Sequence, residues 1–503
     1  MLQFLERSQQ VRYRPAGVFI APFFGPQIIK EMKRTAAVIG AGPNGLAAAI
    51  VLAQAGLEVE VHETAAEIGG AARSGELTLA GFVHDLGSAV HPMGISSPFF
   101  AKLPLQEHGL EWIQPPAALA HPLDDGTAVM LERDLAATVA QFGSDGDAYR
   151  EIFEPLVKRW PTLVREVFRP LRVPHHPFLL GRFGLNAIQP ATVLARHKLR
   201  NARAQGLFAG IAAHSNLKLQ SPLSAGFGLI LGSAGHAVGW PIPRGGSQRI
   251  SNALAGVLGA LGGRIFTESR VRQLKDVGER DLILCDVTPR QLVAIAGREL
   301  PAPFRESLEQ YRYGPGVFKM DWALSEPIPW RAKDCLRAAT VHLGGSLAEM
   351  RESETKAAYG EPPERPFVLL VQPTLFDATR APAGRHTAWA YCHVPNGWRG
   401  SAVKQIEAQI ERFAPGFRDC VLARATHNPM QMQAWNENLV GGDVVGGVTD
   451  VLQFALRPTW RRYRTPVKGL YLCSSSTPPG GSVHGMCGYY AAQWALSDLK
   501  KRR

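Results

Sequence analysis

The stretch Ala36 to Glu63, AAVIGAGPNGLAAAIVLAQAGLEVEVHE, decides the fold. Ala36–Ile39 is a short apolar run, too short for a helix and suited to a buried parallel strand. Gly40-Ala41-Gly42-Pro43-Asn44-Gly45 is a G-x-G-x-x-G. Small residues from Leu46 to Ala55 then read as a helix that Gly56 ends. A second strand starts at Glu58 and closes on Glu63. Gly40 permits a sharp turn, Gly42 lets a pyrophosphate approach the backbone, and Gly45 lets the helix pack on the strand. The first helical turn, from Pro43 and Asn44, offers free N–H groups and the positive end of the helix dipole. Glu63 stands 23 residues after Gly40, where a carboxylate accepts ribose hydroxyls and repels a 2′-phosphate, which argues against NADP. Strand, turn, helix, strand and acid in this order predict dinucleotide binding. The bland alternative is a tight turn that binds nothing.

At 503 residues the chain has room for about two to four domains. With 46% hydrophobic and 19% charged residues it reads as globular, not disordered. No run approaches the ~20 apolar residues of a membrane helix. Cys285, Cys335, Cys392, Cys420, Cys473 and Cys487 are dispersed, without a C-x-x-C or a zinc spacing. Reduced thiols in a cytoplasmic compartment and no metal are therefore expected. The net charge of +12 gathers in clusters such as Arg196–Arg200 and Arg457–Arg464. A solvated basic surface is the plain reading. Steering of an anionic ligand or peripheral contact with an anionic membrane is the functional one. No nucleic-acid module is recognisable.

Around the first unit the chain divides as follows. Residues 1–33 read as an extension outside the core fold. Segments 34–100, 241–300 and 465–503 read as the dinucleotide domain, 101–144 and 301–464 as a substrate domain, and 145–240 as a helical cap. Gly69-Gly70-Ala71 permits a further close backbone approach to the same cofactor. Ser96-Ser97-Pro98 is expected to open a helix, and Asp145–Arg169 to form one. Val271–Leu274 is expected as a strand, and so is Asp281–Asp286. In Gly316–Leu324, alternation puts Val317, Lys319, Asp321 and Ala323 on one face. A buried lysine there needs a partner, either Asp321 or solvent. Near the C-terminus, Gly469–Cys473 is a strand, Ser474–Gly485 a small-residue loop, and Gly488–Asp498 a helix: a second place where backbone N–H groups meet a ligand.

These motifs together resemble the phytoene dehydrogenase-like FAD oxidoreductases, within the amine oxidase and carotenoid desaturase superfamily. The resemblance runs from about Thr35 to the C-terminus. It rests on Gly40–Glu63 with Gly69-Gly70, on Pro243-x-Gly245-Gly246 with its helix and Val271, on Asn436–Asp443, and on Gly469–Leu472 with its loop. The fold it implies is α/β: a Rossmann-like FAD-binding domain built from discontinuous segments, a mixed-sheet substrate domain and a helical cap. It implies FAD held by Gly40, Gly42, Pro43, Asn44, Gly45, Glu63, Gly70 and Ala71, with the Val271 backbone at the adenine and Gly480, Gly481 and Val483 at the flavin end. The segment from Pro315 to Lys319 is similar to the amine oxidase segment whose lysine reaches the flavin through a water, which makes Lys319 the catalytic candidate. The terminal loop departs from the family's pattern, with Ser474–Pro479 where a glycine-rich run with His-Pro stands and with His484 displaced. The expected activity is removal of a hydride from a C–H bond of an apolar substrate, with oxygen or a quinone as electron acceptor. A flavin-stabilised scaffold and a redox-neutral flavin isomerase are the alternatives.

Overall fold

The computed structural model describes residues 34–501, so the expectation for residues 1–33 falls outside the described residues. β1 (Thr35–Ile39), α1 (Pro43–Gln54) and β2 (Glu58–His62) form the opening unit. Three later strands join it: β9 (Arg264–Phe266), β10 (Leu282–Cys285) and β16 (Leu470–Leu472). The sheet runs β16-β10-β1-β2-β9, with every pair parallel. Its central strand is apolar on both faces because both faces are covered. On one side α1, α8 (Gln248–Ala260) and α12 (Met486–Lys500) contribute Leu46, Ile50, Leu254 and Ala491 to the core. On the other, Leu292 of α9 (Pro289–Ala296) packs with Ala37 and Ile39. This is the Rossmann-like architecture expected from the opening stretch.

The second sheet has seven strands: β6 (Ala117–Pro122), β7 (Ala128–Glu132), β11 (Gly316–Leu324), β12 (Ala338–Leu343), β13 (Val368–Val371), β14 (His386–Val394) and β15 (Val421–His427). Their order is β15-β11-β14-β13-β12-β6-β7, antiparallel except where β12 meets β6. One face carries Phe318, Met320 and Trp322 against α11 (Val403–Phe413). The opposite face carries Leu119, Val129, Leu369 and Trp389 into the core shared with the cap and α1. The hairpin β3 (Ser74–Glu76) and β4 (Val83–Asp85) and the pair β5 (Trp112–Ile113) and β8 (Ile242–Pro243) complete the strands.

The cap comprises α2 (Gly146–Val157), α3 (Trp160–Val167), α4 (Pro177–Ala187), α5 (Ala191–Lys198), α6 (Ala202–Ala213) and α7 (Ser224–Ala237). Four expectations are corrected here. The single helix over 145–169 is two. Pro155 has no N–H for the Glu151 carbonyl, which takes the Arg182 guanidinium instead, and Pro161 suits only the first turn of a new helix. Residues 271–274 form no strand, because the Asp276 carboxylate takes the N–H groups of Arg272 and Gln273 that a ladder would use. After Ser96-Ser97-Pro98 only one short 3₁₀ turn forms, Phe100–Lys102. The run Arg457–Arg464 is not a solvated surface throughout: Arg457 is 1% exposed and donates to the Tyr311 hydroxyl and the Gly446 carbonyl, and Arg464 pairs with Asp498.

Candidate functional site

The loop after β1 is built over Asp286, at the C-terminal end of β10. Gly40 has φ +100°, and a Cβ there would lie 2.9 Å from the Asp286 carbonyl. A Cβ on Gly42 would lie 2.8 Å from Asp286 Oδ2, and one on Gly45 would enter the Gly40 carbonyl. The Gly45 N–H donates to Asp286 Oδ2 at 2.8 Å. Burial pushes this carboxyl up to about 7; the Glu63 charge adds to the rise and the Gly45 N–H opposes it. Sequence reasoning passed over Asp286. Its signal was an acid directly after a buried strand, on the edge where parallel sheets meet ligands.

Glu63 holds the same turn. Its Oε2 accepts the Ala41 N–H at 2.8 Å and its Oε1 the Ala65 N–H at 2.9 Å. Each oxygen keeps a lone pair for a sugar hydroxyl. The Gly69 N–H donates to the Ala41 carbonyl, and a Cβ on Gly70 would lie 3.2 Å from the Gly42 Cα. Ala71 receives the Ser88 N–H on its carbonyl, which ties this second loop to the chain beyond β4. Val271 packs with Ile39 and Cys285 on the other face of the sheet.

The terminal loop closes on the first. Asn44, at the start of α1, reaches Ser475 Oγ at 3.5 Å through Nδ2, while its buried Oδ1 has no partner. Gly481 packs against the Val445 carbonyl, Gly480 lies beside the Arg457 guanidinium, and the Val483 carbonyl lies against Gly94. The stretch Asn436–Asp443 joins these parts. Asn438 donates to the Asp286 carbonyl and accepts the Thr288 N–H, and Asp443 collects the N–H groups of Gly314, Val445, Gly446 and Gly447. The glycine-lined cradle fits the diphosphate of a dinucleotide, and the two acceptors, Asn44 Oδ1 and the carboxylate at the end of β2, fit donating sugar hydroxyls.

Lys319 lies on the face of β11 turned toward this domain. It is 2% exposed, and its Nζ donates to Asp321 Oδ2. Asp321 Oδ1 has no hydrogen bond and lies 3.8 Å from His84 Nδ1. Burial lowers the lysine, and it raises Asp321 to about 6. His84 falls to about 3, from burial and from the Lys319 and Arg380 charges. Next to His84, Asp85 binds Arg380 Nη2 at 2.9 Å and the Ser247 N–H at 2.8 Å at the start of α8. One buried network thus runs from the lysine to the dinucleotide domain.

Tyr391 stands directly across from Lys319 on β14, with His393 two residues on. His393 Nδ1 lies 2.7 Å from the Glu354 carboxylate, on α10 (Leu347–Ala358). His214, at the end of α6, meets His342 at 3.0 Å, and burial lowers both. The sheet floor beneath the cap is therefore mixed: Leu369 and Trp389 beside polar groups. Among the described residues no group of His, Cys, Asp and Glu could hold a metal ion.

A model of the NAD(P)-binding Rossmann-like domain matches residues 38–103. The chain is 27% identical to pyridine nucleotide-disulfide oxidoreductase domain-containing protein 2 of Rattus norvegicus, over 92% of this chain and 94% of that protein. It is 25% identical to phytoene dehydrogenase of Streptomyces griseus, over 78% of each. In fold it is similar to an oxidoreductase from Methanosarcina mazei, with a TM-score of 0.62 and 17% identity over 92% of this chain and 100% of that one. It is likewise similar to putrescine oxidase bound to putrescine, with a TM-score of 0.60 and 19% identity over 94% and 100%. All six cysteines are free and buried. The chain is thus similar over most of its length to oxidoreductases of the phytoene dehydrogenase-like kind, and it shares its fold with putrescine oxidase.

Proposed function

We propose that the chain takes a hydride from a C–H bond of an apolar substrate held beneath the cap, beside Lys319. Bound FAD supplies the hydride acceptor, and its electron pair passes on to oxygen or a quinone. The observation that carries this reading is the buried Lys319–Asp321 pair on the sheet face turned toward the cofactor domain. Burial pushes the lysine below its ordinary value, which eases loss of its proton, and raises Asp321 to about 6. Lys319, once deprotonated, takes the proton from the carbon next to the one that loses hydride, and a C=C bond forms between them. Asp85, held by Arg380 and Ser247, fixes the position of His84 behind Asp321.

The test is anaerobic reduction of FAD-loaded protein by a panel of saturated and unsaturated apolar compounds. Flavin bleaching by at least one of them is expected, slowed at least about a hundredfold in Lys319→Met with FAD affinity unchanged. Equal bleaching in that variant removes Lys319 from the chemistry. Flavin that stays oxidised with every compound favours the scaffold reading. Product formed with no acceptor consumed favours an isomerase.

A further inference from the structure

Residues 167–267, which span most of the cap and all of α8, contain eleven Lys and Arg and no Asp or Glu. This one stretch carries nearly the whole net charge of +12. Within it, α4 is apolar on two faces. Leu179, Phe183 and Ala187 pack inward. Phe178, Arg182 and Leu185 recur at helical spacing on the opposite face. Phe178 is 91% exposed and Leu185 75%, with Val173 beside the helix at 86%. Leu171 and Ile188 are also exposed. Exposed Arg172, Arg182, Arg196, Lys198 and Arg200 belong to the same part of the cap. Lys198 has Glu151 at 3.7 Å, while Arg172, Arg196 and Arg200 have no carboxylate partner among the described residues.

We propose that this face of the cap docks on an anionic phospholipid bilayer, with Phe178, Leu185 and Val173 entering the interface and the arginines meeting headgroup phosphates. An apolar face flanked by basic residues is what an in-plane interfacial helix presents. The charge pattern selects lipid over a second copy of the chain. A two-fold contact would set this face against itself, and without an acid in the stretch it would bring like charges together. An anionic surface neutralises them. The proposal does not depend on the reaction assigned above.

The full chain is tested by co-sedimentation with vesicles of phosphatidylcholine alone and of phosphatidylcholine with phosphatidylglycerol. Binding about tenfold tighter to the anionic vesicles, weakening with added salt, is expected. The double variant Phe178→Ser/Leu185→Ser, checked for an unchanged thermal midpoint, is expected to bind about tenfold more weakly. Arg196→Gln/Arg200→Gln is expected to lose part of the salt dependence. Equal binding to both vesicle types, no binding, or unchanged binding by the Phe178/Leu185 variant overturns the proposal. A wild-type dimer in solution that this variant dissolves assigns the face to a second copy instead.

Discussion

Asp286 does two jobs that pull against each other. It takes the Gly45 N–H at the start of α1, and it lies buried near the Glu63 charge. Its carboxyl is raised to about 7 in the folded chain, against an ordinary value of 3.8. An acid raised on folding binds its proton more tightly in the native state. Its stabilising contribution is therefore complete below the unfolded value and is lost as pH rises through about 7. Asp286→Asn keeps an oxygen for the Gly45 N–H and removes the titration. Its thermal midpoint should gain on the wild type between pH 5 and pH 8; parallel curves for the two proteins would show that Asp286 does not titrate there. Lys319 and Asp321 form the second buried charge set. Lys319→Met leaves Asp321 without its cation and should cost about 3–5 kcal/mol, while Lys319→Met/Asp321→Leu recovers most of it, as chemical denaturation of both can check. The value of Lys319 was readable from one strand, because alternation alone shows that a lysine in so apolar a run needs a neighbour. Asp286 was not, since its meaning lies in a contact with Gly45 across 241 residues. The use of Glu63 by Ala41 and Ala65 was also hidden, because both bonds depend on how the turn closes.

At the scale of elements, glycine decides how closely the helices approach. In α7 a Cβ on Gly232 would lie 2.6 Å from the Phe153 ring, and one on Gly228 2.9 Å from the Phe208 ring. Gly232→Ala should cost about 1–3 kcal/mol by overpacking, even though alanine is the better helix former. A raised thermal midpoint for that variant would mean that α2 and α7 have slack between them. β1 was legible as a short apolar run, β2 because alternating valines follow the helix of the G-x-G-x-x-G unit, and β11 as a long stretch rich in apolar residues. The strand expected at 271–274 failed for a reason that pattern does not carry: the Asp276 side chain takes its backbone donors locally. The break in the helix over 145–169 was legible in principle, since Pro155 and Pro161 both stand inside it.

For the whole molecule, the cofactor sheet draws strands from residues 35–62, 264–285 and 470–472, so the cap and the second sheet are inserted in the chain between its parts. Sequence placed the first and last of these segments by their motifs. It could not show how the two sheets are fastened, because the fasteners are single side chains far apart in the chain. Arg380 is fully buried and binds the Asp85 carboxylate and the Val83 carbonyl across 295 and 297 residues. Asp377, three residues earlier, accepts the Gly245 N–H just before α8. Arg380→Met would leave Asp85 with Ser247 and Ser74 but no cation, at a cost of about 3–5 kcal/mol. Because Asp85 joins the Lys319 network to the start of α8, the loss should not stay local. Cofactor-domain and second-sheet probes should unfold together in the wild type and still together, at lower denaturant, in the variant. Separate transitions in the wild type would show that the interleaved segments fold as independent units. Separation in the variant alone would make Arg380 the fastener that couples the two sheets.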